Sequence, residues 1–413
     1  MAKDTIIKPL EAESPSGREG FSALLQRQFE IPADIEAAVR EIIQAVRKDG
    51  DAALLHYTAK FDCPEFDISM LRVSEAEISA AYDKIDPKIL KSLRKALENI
   101  KLFHGKQRPN SWFDTREDGI ILGQMVRPVD AAGLYVPGGT GGSTPLVSSV
   151  LMNAVPARIA GVKRLLLATP PGRDGKISPY LLVAAQEAGV SEIYRMGSAW
   201  AIAAMAYGTQ TIKPVDVIAG PGNIFVTVAK KIISGTTGID MVAGPSEILI
   251  IADESADPAY VAADMLSQAE HDPMATSVLI TTSMAIAEQT CSELSIQAET
   301  LQRSETAIKS IESNGLVLVV KDLEKAAAMT NRVGPEHLEL FVENPWELLP
   351  LIHHAGAIFL GAYSPEPVGD YIAGPNHVLP TMGTARFSSA LGVETFLKRS
   401  SIISYSEKAF FQD

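Results

Sequence analysis

Scarcity is the first constraint on this 413-residue chain. Only two cysteines occur, Cys63 and Cys291, and neither sits in a CxxC pair. A disulfide framework and a cysteine-ligated zinc centre are therefore excluded, and a reducing cytoplasm is the expected compartment. Basic residues are outnumbered, 37 Lys and Arg against 50 Asp and Glu, leaving a net charge of −13. That balance argues against nucleic acid or an anionic membrane as the main partner. No apolar run approaches the ~18–20 residues of a membrane span. The opening MAKDTIIKPL lacks the apolar core of a signal peptide. Low-complexity tracts and short repeats are absent, and no glycine-rich stretch matches GxGxxG.

What remains is ordinary globular composition, 46% hydrophobic and 21% charged, in a chain long enough for two or three domains. The N-terminal part reads as helical. In DIEAAVREIIQAVRKDG, Ile35, Val39, Ile42, Ile43 and Val46 form a stripe at helical spacing that Gly50 ends. Ser74 and Glu77 have capping-box spacing, with Val73 placed to staple the helix start. That helix is expected to stop before Asp86-Pro87, and a second to run on to about Phe103. From residue 130 short β-rich runs (GLYVP, RLLLATPP, EIYRMG, VDVIAG, then EILIIAD, SVLITT, LVLVV, AIFLG) alternate with helical ones. Continuous apolar strands between helices predict parallel sheets covered on both faces. So many strands imply two α/β units, divided where glycines cluster in SGTTGIDMVAGPS.

Three Gly-Pro turns, YVPGGTGGSTP (135–145), AGPGN (219–223) and AGPSE (243–247), flank strands. Such turns expose backbone N–H groups to anions, but they also serve simply as tight turns. Asn223 has the plainer reading of a helix N-cap. Of seven histidines, His56, His104, His353 and His354 read as structural or surface residues. His271, His337 and His377 lie at element ends beside Pro, Gly, Asp or Glu. Gln268 and His271 are three apart in the apolar helix of DMLSQAEHDP, although a histidine there also suits a helix C-terminus. Asp370 lies in PVGDYIAGPNHVLP, where an Asx-turn would explain it, and Glu336-His337 opens a strand-like run. Taken together, Gln268, His271 and Asp370 supply nitrogen and oxygen ligands suited to zinc with positions left for substrate. Glu336 and His337 remain as an acid/base pair.

These segments resemble the L-histidinol dehydrogenase family from about residue 30 onward. The resemblance is carried by YVPGG, SSVLMNAVPARIAGV, GPGNIFV, IDMVAGPSEILIIAD, DMLSQAEHDP, GPEHLEL, GDYIAGPNHVLPTMGTARFSS and FLKRSS. It implies an α/β fold with two Rossmann-like parallel-sheet domains, a helical N-terminal region and a small C-terminal extension. The expected ranges are 1–128 for a mainly helical region packing with the second α/β unit, 129–240 for the first α/β, nucleotide-binding-like domain, 241–385 for the second with the metal and catalytic residues, and 386–413 for the start of the extension. It further implies an intertwined homodimer, one Zn2+ per subunit, NAD, and two successive oxidations of L-histidinol to L-histidine through L-histidinal. By resemblance the zinc ligands fall on Gln268, His271 and Asp370, and the catalytic pair on Glu336 and His337. Substrate contacts fall on Ser246, Gln268, His271, His337, Asp370 and His377, and nucleotide contacts on Tyr135 and Asn223.

Three departures bear on that expectation. The family's GGAQAIAA reads GSAWAIAA here, with Trp200 for a nucleotide-contacting glutamine, so Trp200 is retained only as a lining residue. The loop at 138–145 is about three residues longer than the family form. The sequence ends at Asp413, whereas the family continues into a helical tail with an E-G-L-x-x-H pattern. In the family the tail's histidine completes the zinc site across the dimer, and the expectation is that the sequence stops short of it. Two other readings stay open: a zinc- and NAD-dependent dehydrogenase of another small polyol such as a sulfonated propanediol, and a non-catalytic nucleotide-binding scaffold.

Overall fold

Residues 5–27, 31–138 and 146–413 are described by a computed structural model. From the N-terminus run β1 (Leu10–Glu11) and α1 (Pro15–Gln26), then α2 (Ala33–Asp49), α3 (Asp51–Phe61), α4 (Glu75–Tyr82) and α5 (Pro87–Gly105). The stripe of α2 buries Val39, Ile42, Ile43 and Val46, and Gly50 closes the helix at φ +57°. Ser74 and Glu77 make the capping box of α4, and Asp86 caps α5 through the Lys88 N–H. Next come β2 (Trp112–Thr115) and β3 (Ile121–Pro128).

The alternation predicted from residue 130 follows: β4 (Ala131–Tyr135), α6 (Val147–Ala160), β5 (Arg164–Thr169), α7 (Pro179–Glu187), β6 (Glu192–Arg195), α8 (Ser198–Tyr207), β7 (Val217–Ala219), α9 (Ile224–Ile233) and β8 (Gly238–Ile239). The strands form one parallel sheet in the order β6-β5-β4-β7-β8. The order reverses between β4 and β7, and Tyr135 ends the first while Asn223 caps the helix after the second. Both residues thus stand at the carboxyl edge of the switch point, where doubly wound sheets bind ligands. Gly220 is required there, because a Cβ would lie 2.0 Å from the Tyr135 carbonyl oxygen. Buried Lys230 pairs with Asp240 and donates to the Gly220 carbonyl (2.9 Å), while Asp240 accepts from the Gly220 N–H (2.8 Å).

The second alternation comprises β9 (Glu247–Ala252), α10 (Pro258–Ala269), β10 (Thr276–Thr281), α11 (Met284–Ala298), α12 (Ser304–Asn314), β11 (Leu316–Val319), α13 (Leu323–Val333), β12 (His337–Phe341) and β13 (Ala357–Leu360). Its parallel sheet is ordered β1-β11-β10-β9-β12-β13, with His337 opposite Ile248. Here the reversal lies between β9 and β12, which begin at Glu247 and His337.

The last strand, β14 (Leu397–Ser404), pairs antiparallel with β3, which pairs antiparallel with β2. This three-stranded sheet was not anticipated. Every residue of β2 is exposed and β14 reads LKRSSIIS, so neither carries the apolar run that marked the parallel strands.

The chain packs as two units: residues 1–30, 243–371 and 379–390 in the smaller, and 31–242, 372–378 and 391–413 in the larger. The expected grouping of residues 1–128 with the later α/β unit therefore divides near residue 30. β1 extends the sheet at β11, whereas the α2 stripe shares a core with Trp200, Ile202 and Val226 of α8 and α9. Among the described residues, no helix is long and apolar enough to cross a membrane.

Candidate active site

Helix α10 starts at Pro258 with the Asp257 carboxylate accepting the Ala259 N–H (2.9 Å), and it buries Val261, Ala262, Met265, Leu266 and Ala269. It ends at Ala269, so His271 lies just past the helix, its N–H donating to the Gln268 carbonyl (3.2 Å). His271 is exposed, whereas Gln268 is 2% exposed. The Gln268 Oε1 is buried with no hydrogen-bond partner among the described residues. A buried acceptor left in that state costs free energy unless a ligand satisfies it.

Glu336 and His337 stand at the start of β12 and are 6% and 4% exposed. Glu247, one residue ahead of the β9–β12 ladder, serves both through its backbone, the N–H for one and the carbonyl, in the next peptide, for the other. Its N–H donates to Glu336 Oε2 (2.8 Å), and its carbonyl accepts from His337 Nδ1 (3.0 Å). A carbonyl can only accept, so the neutral imidazole carries its proton on Nδ1 and presents a lone pair at Nε2. That Nε2 lies 3.9 Å from Glu366 Oε1 and 4.0 Å from Asp370 Oδ1.

Glu366 opens a short helix, Glu366–Val368, where its N–H donates to Glu339 Oε1 (2.9 Å). Asp370 follows in the π-helical turn Gly369–Ala373, rather than in an Asx-turn, and hydrogen-bonds the Glu366 side chain. Ligand atoms of His337, Glu366 and Asp370 all lie within 4.8 Å of one another. The end of α10 reaches the same cluster: Ser267 Oγ is 3.5 Å from Glu366 Oε2, and the charge of His271 acts on Glu366.

This is a pocket of crowded acids. Burial, and then the neighbouring Asp370, push Glu366 up to about 8 against the pull of His271. Burial lifts Asp370 and Asp264 each to about 6. Burial also holds Glu336 well above the usual carboxylate range, opposed by the Glu247 N–H and reinforced by the Glu247, Asp370 and Glu366 charges. Glu339 is raised in the same direction by burial and by Asp264. A cation would relieve the repulsion among these acids, and the orphaned Gln268 oxygen is a neutral donor of a kind such an ion accepts. Nitrogen and oxygen donors without sulfur suit zinc or a harder divalent ion.

Asp370, His337 and Glu366 are thus brought together, with Gln268 and His271 on the adjoining helix end. Glu366, Glu339, Asp264 and Glu247 were not picked out from the sequence. Glu339 is two residues from His337 on the same strand face, and Glu366 is four from Asp370, so spacing carried a signal. Ser246 belongs to the turn before β9, its carbonyl accepting from the Thr276 N–H (3.0 Å).

The remaining candidates lie in the larger unit. Tyr135 is buried, and its hydroxyl accepts the Ser198 N–H (3.0 Å). Asn223 is an N-cap, Oδ1 accepting from Phe225 and Val226 N–H, as its plainer reading held. His377 is partly buried, and its imidazole is pushed down to about 4 by burial. Trp200, expected as a lining residue, is instead part of the core. It is 3% exposed, donates to Thr58 Oγ1 (3.1 Å) and stacks on Tyr57 and Phe61. All but Gly138 of the lengthened loop lies outside the described residues.

The family model for histidinol dehydrogenase matches residues 25–412. The histidinol dehydrogenase of Desulfotalea psychrophila is 58% identical over 409 residues, covering 99% of this chain and 94% of that relative. That of Oleidesulfovibrio alaskensis is 59% identical over 400 residues, covering 97% and 92%. The crystal structure of histidinol dehydrogenase from Elizabethkingia anophelis superposes with a TM-score of 0.91 at 37% identity, covering 99% of this chain and 92% of that one. On matches of this extent, the chain belongs to the histidinol dehydrogenase family.

Proposed function

We propose that this chain oxidises L-histidinol to L-histidine through L-histidinal, reducing NAD⁺ at each step. The observation that carries the reading is the Glu247 backbone, whose N–H holds Glu336 and whose carbonyl fixes the His337 tautomer so that a basic nitrogen faces the buried acids. Gln268, His271 and Asp370 would hold a divalent ion, zinc by family, and Ser246, His337 and His377 would complete the substrate contacts. Tyr135 and Asn223 would receive the nucleotide. Such an ion would supply a fixed point for orienting the imidazole and amine of the substrate, and NAD⁺ would supply the hydride acceptor.

The protein's own residues handle the protons. His337 Nε2 accepts the alcohol proton as hydride departs. The resulting imidazolium donates through Nδ1 to the Glu247 carbonyl and is stabilised by Asp370 and Glu366. Glu336, with its affinity for protons raised by burial, takes a proton from the water that hydrates the aldehyde. His337 then serves again as the hydrate is oxidised. A cytoplasmic homodimer is proposed from the family. Trp200 lends no support to a different small polyol, since its indole is folded into the core.

The test is NADH formation by the full-length protein with histidinol, with and without a chelator, beside a sulfonated propanediol and other small alcohols. Histidinol-dependent, chelator-sensitive reduction is expected. Preference for another alcohol would replace the substrate assignment, and inactivity with every alcohol would favour a scaffold.

A further inference from the structure

The Glu247 side chain points to a role for a residue far away in sequence. Its Oε1 accepts a hydrogen bond from Arg27 Nε (2.7 Å) and lies at ion-pair distance, 2.7 Å, from Nη2, while Arg27 Nη1 donates to the Leu24 carbonyl (2.6 Å) at the end of α1. Glu247 is 2% exposed at the side chain and Arg27 17%, so this is a nearly buried ion pair. The same residue's N–H holds Glu336 and its carbonyl holds His337. One residue therefore joins α1 to both members of the acid/base pair. The turn ahead of it is anchored separately, with Gly244 N–H donating to Thr381 Oγ1 (2.7 Å).

We propose that Arg27 is a positioning residue: through its ion pair with Glu247 it steadies the Glu247 backbone, whose N–H holds Glu336 and whose carbonyl locks His337 in the Nδ1–H tautomer. This rests on the reading of Glu336 and His337 as the acid/base pair. Stability alone would be a weak reason to keep such a pair, because well-packed apolar residues often replace buried ion pairs without loss. The alignment argument is different. The Ser246–Glu247 peptide stays held by the Thr276 N–H, but without the tether the Glu247–Ile248 peptide loses its side-chain restraint, and the imidazole can then place its proton on either nitrogen. A proton on Nε2 leaves no base facing the substrate.

The test compares wild-type, Arg27→Met and Arg27→Lys full-length enzyme, each loaded with zinc and assayed with histidinol and NAD⁺. Arg27→Met is expected to lower kcat by about 10–100-fold, the usual scale for removing a partner that orients a functional histidine. KM for histidinol should stay within about twofold and zinc content should not change. Arg27→Lys should restore much of kcat. In ¹⁵N NMR, the His337 ring, assigned by its absence from His337→Asn, should show one Nδ1–H tautomer in wild type and a mixture in Arg27→Met. If Arg27→Met does not fold, Arg27→Met/Glu247→Leu removes the pair without leaving a lone charge and should show the same two changes. Unchanged kcat, or a kcat loss with the single tautomer retained, overturns the positioning role. The tautomer measurement needs no turnover. A wild-type enzyme inactive on histidinol would therefore defeat the functional reading and leave this inference to be judged by the spectra.

Discussion

Replacing Gln268 by methionine should make the metal-free protein more stable and the enzyme worse. The Gln268 Oε1 is buried without a hydrogen-bond partner among the described residues. An unsatisfied buried acceptor costs on the order of 1–3 kcal/mol. Methionine has similar length and volume and carries no such oxygen, so Gln268→Met should recover part of that cost in protein stripped of metal. For a unit of this size, 1 kcal/mol corresponds to roughly 2–4 °C in Tm. The expected rise is therefore about 2–10 °C, read by calorimetry after chelation. Metal binding should move the other way, with affinity falling by more than the ~10–100-fold typical of losing an outer partner. Titration with zinc under the same conditions measures it. A metal-free protein destabilised by the substitution, together with undiminished zinc affinity, would show that the oxygen serves the fold and not an ion.

Other substitutions separate the remaining roles. Glu336→Gln should slow the oxidation of histidinal more than that of histidinol, within the ~10²–10⁴-fold range of general-base catalysis; equal losses in single-turnover experiments would remove Glu336 from the hydration step. His271→Asn should release the ion, and full metal content by elemental analysis would refute its assignment. Metal loading should weaken in acid. The folded-state carboxyls of Asp370 and Glu366 titrate near 6 and 8, above their ordinary values, so they hold protons that a cation must displace. Affinity should fall most steeply as pH drops through about 6, with proton release on binding at neutral pH seen by calorimetry in buffers of different ionisation enthalpy. Affinity that is flat with pH would mean these carboxylates are not at the ion.

Much of the parallel framework was legible because buried parallel strands leave continuous apolar runs such as EILIIA and RLLLAT. Helix boundaries were legible where chemistry marks them, at Ser74, Asp86 and Gly50. The antiparallel sheet was not, since pairing of β3 with β14 joins segments far apart in sequence through exposed, polar strands. At the site, residue types singled out Asp370, Glu336 and His337 as candidates, but not how a backbone group would serve them. Glu247 looks like one charged residue opening an apolar strand. Its peptide contacts with Glu336 and His337, and its pairing with Arg27, depend on tertiary register that no local pattern encodes. Trp200 shows the opposite failure: position within a motif suggested a lining residue, while packing against Tyr57 and Phe61 decided otherwise.

Diffraction at the zinc absorption edge, from crystals of the zinc-loaded protein, is the sharpest single measurement. One anomalous peak is predicted beside the end of α10, with a His271 ring nitrogen, the Gln268 Oε1 and an Asp370 carboxylate oxygen each at about 2.0–2.2 Å. A peak elsewhere, or one whose ligands omit Gln268 and His271, would contradict the metal centre on which the proposed chemistry depends.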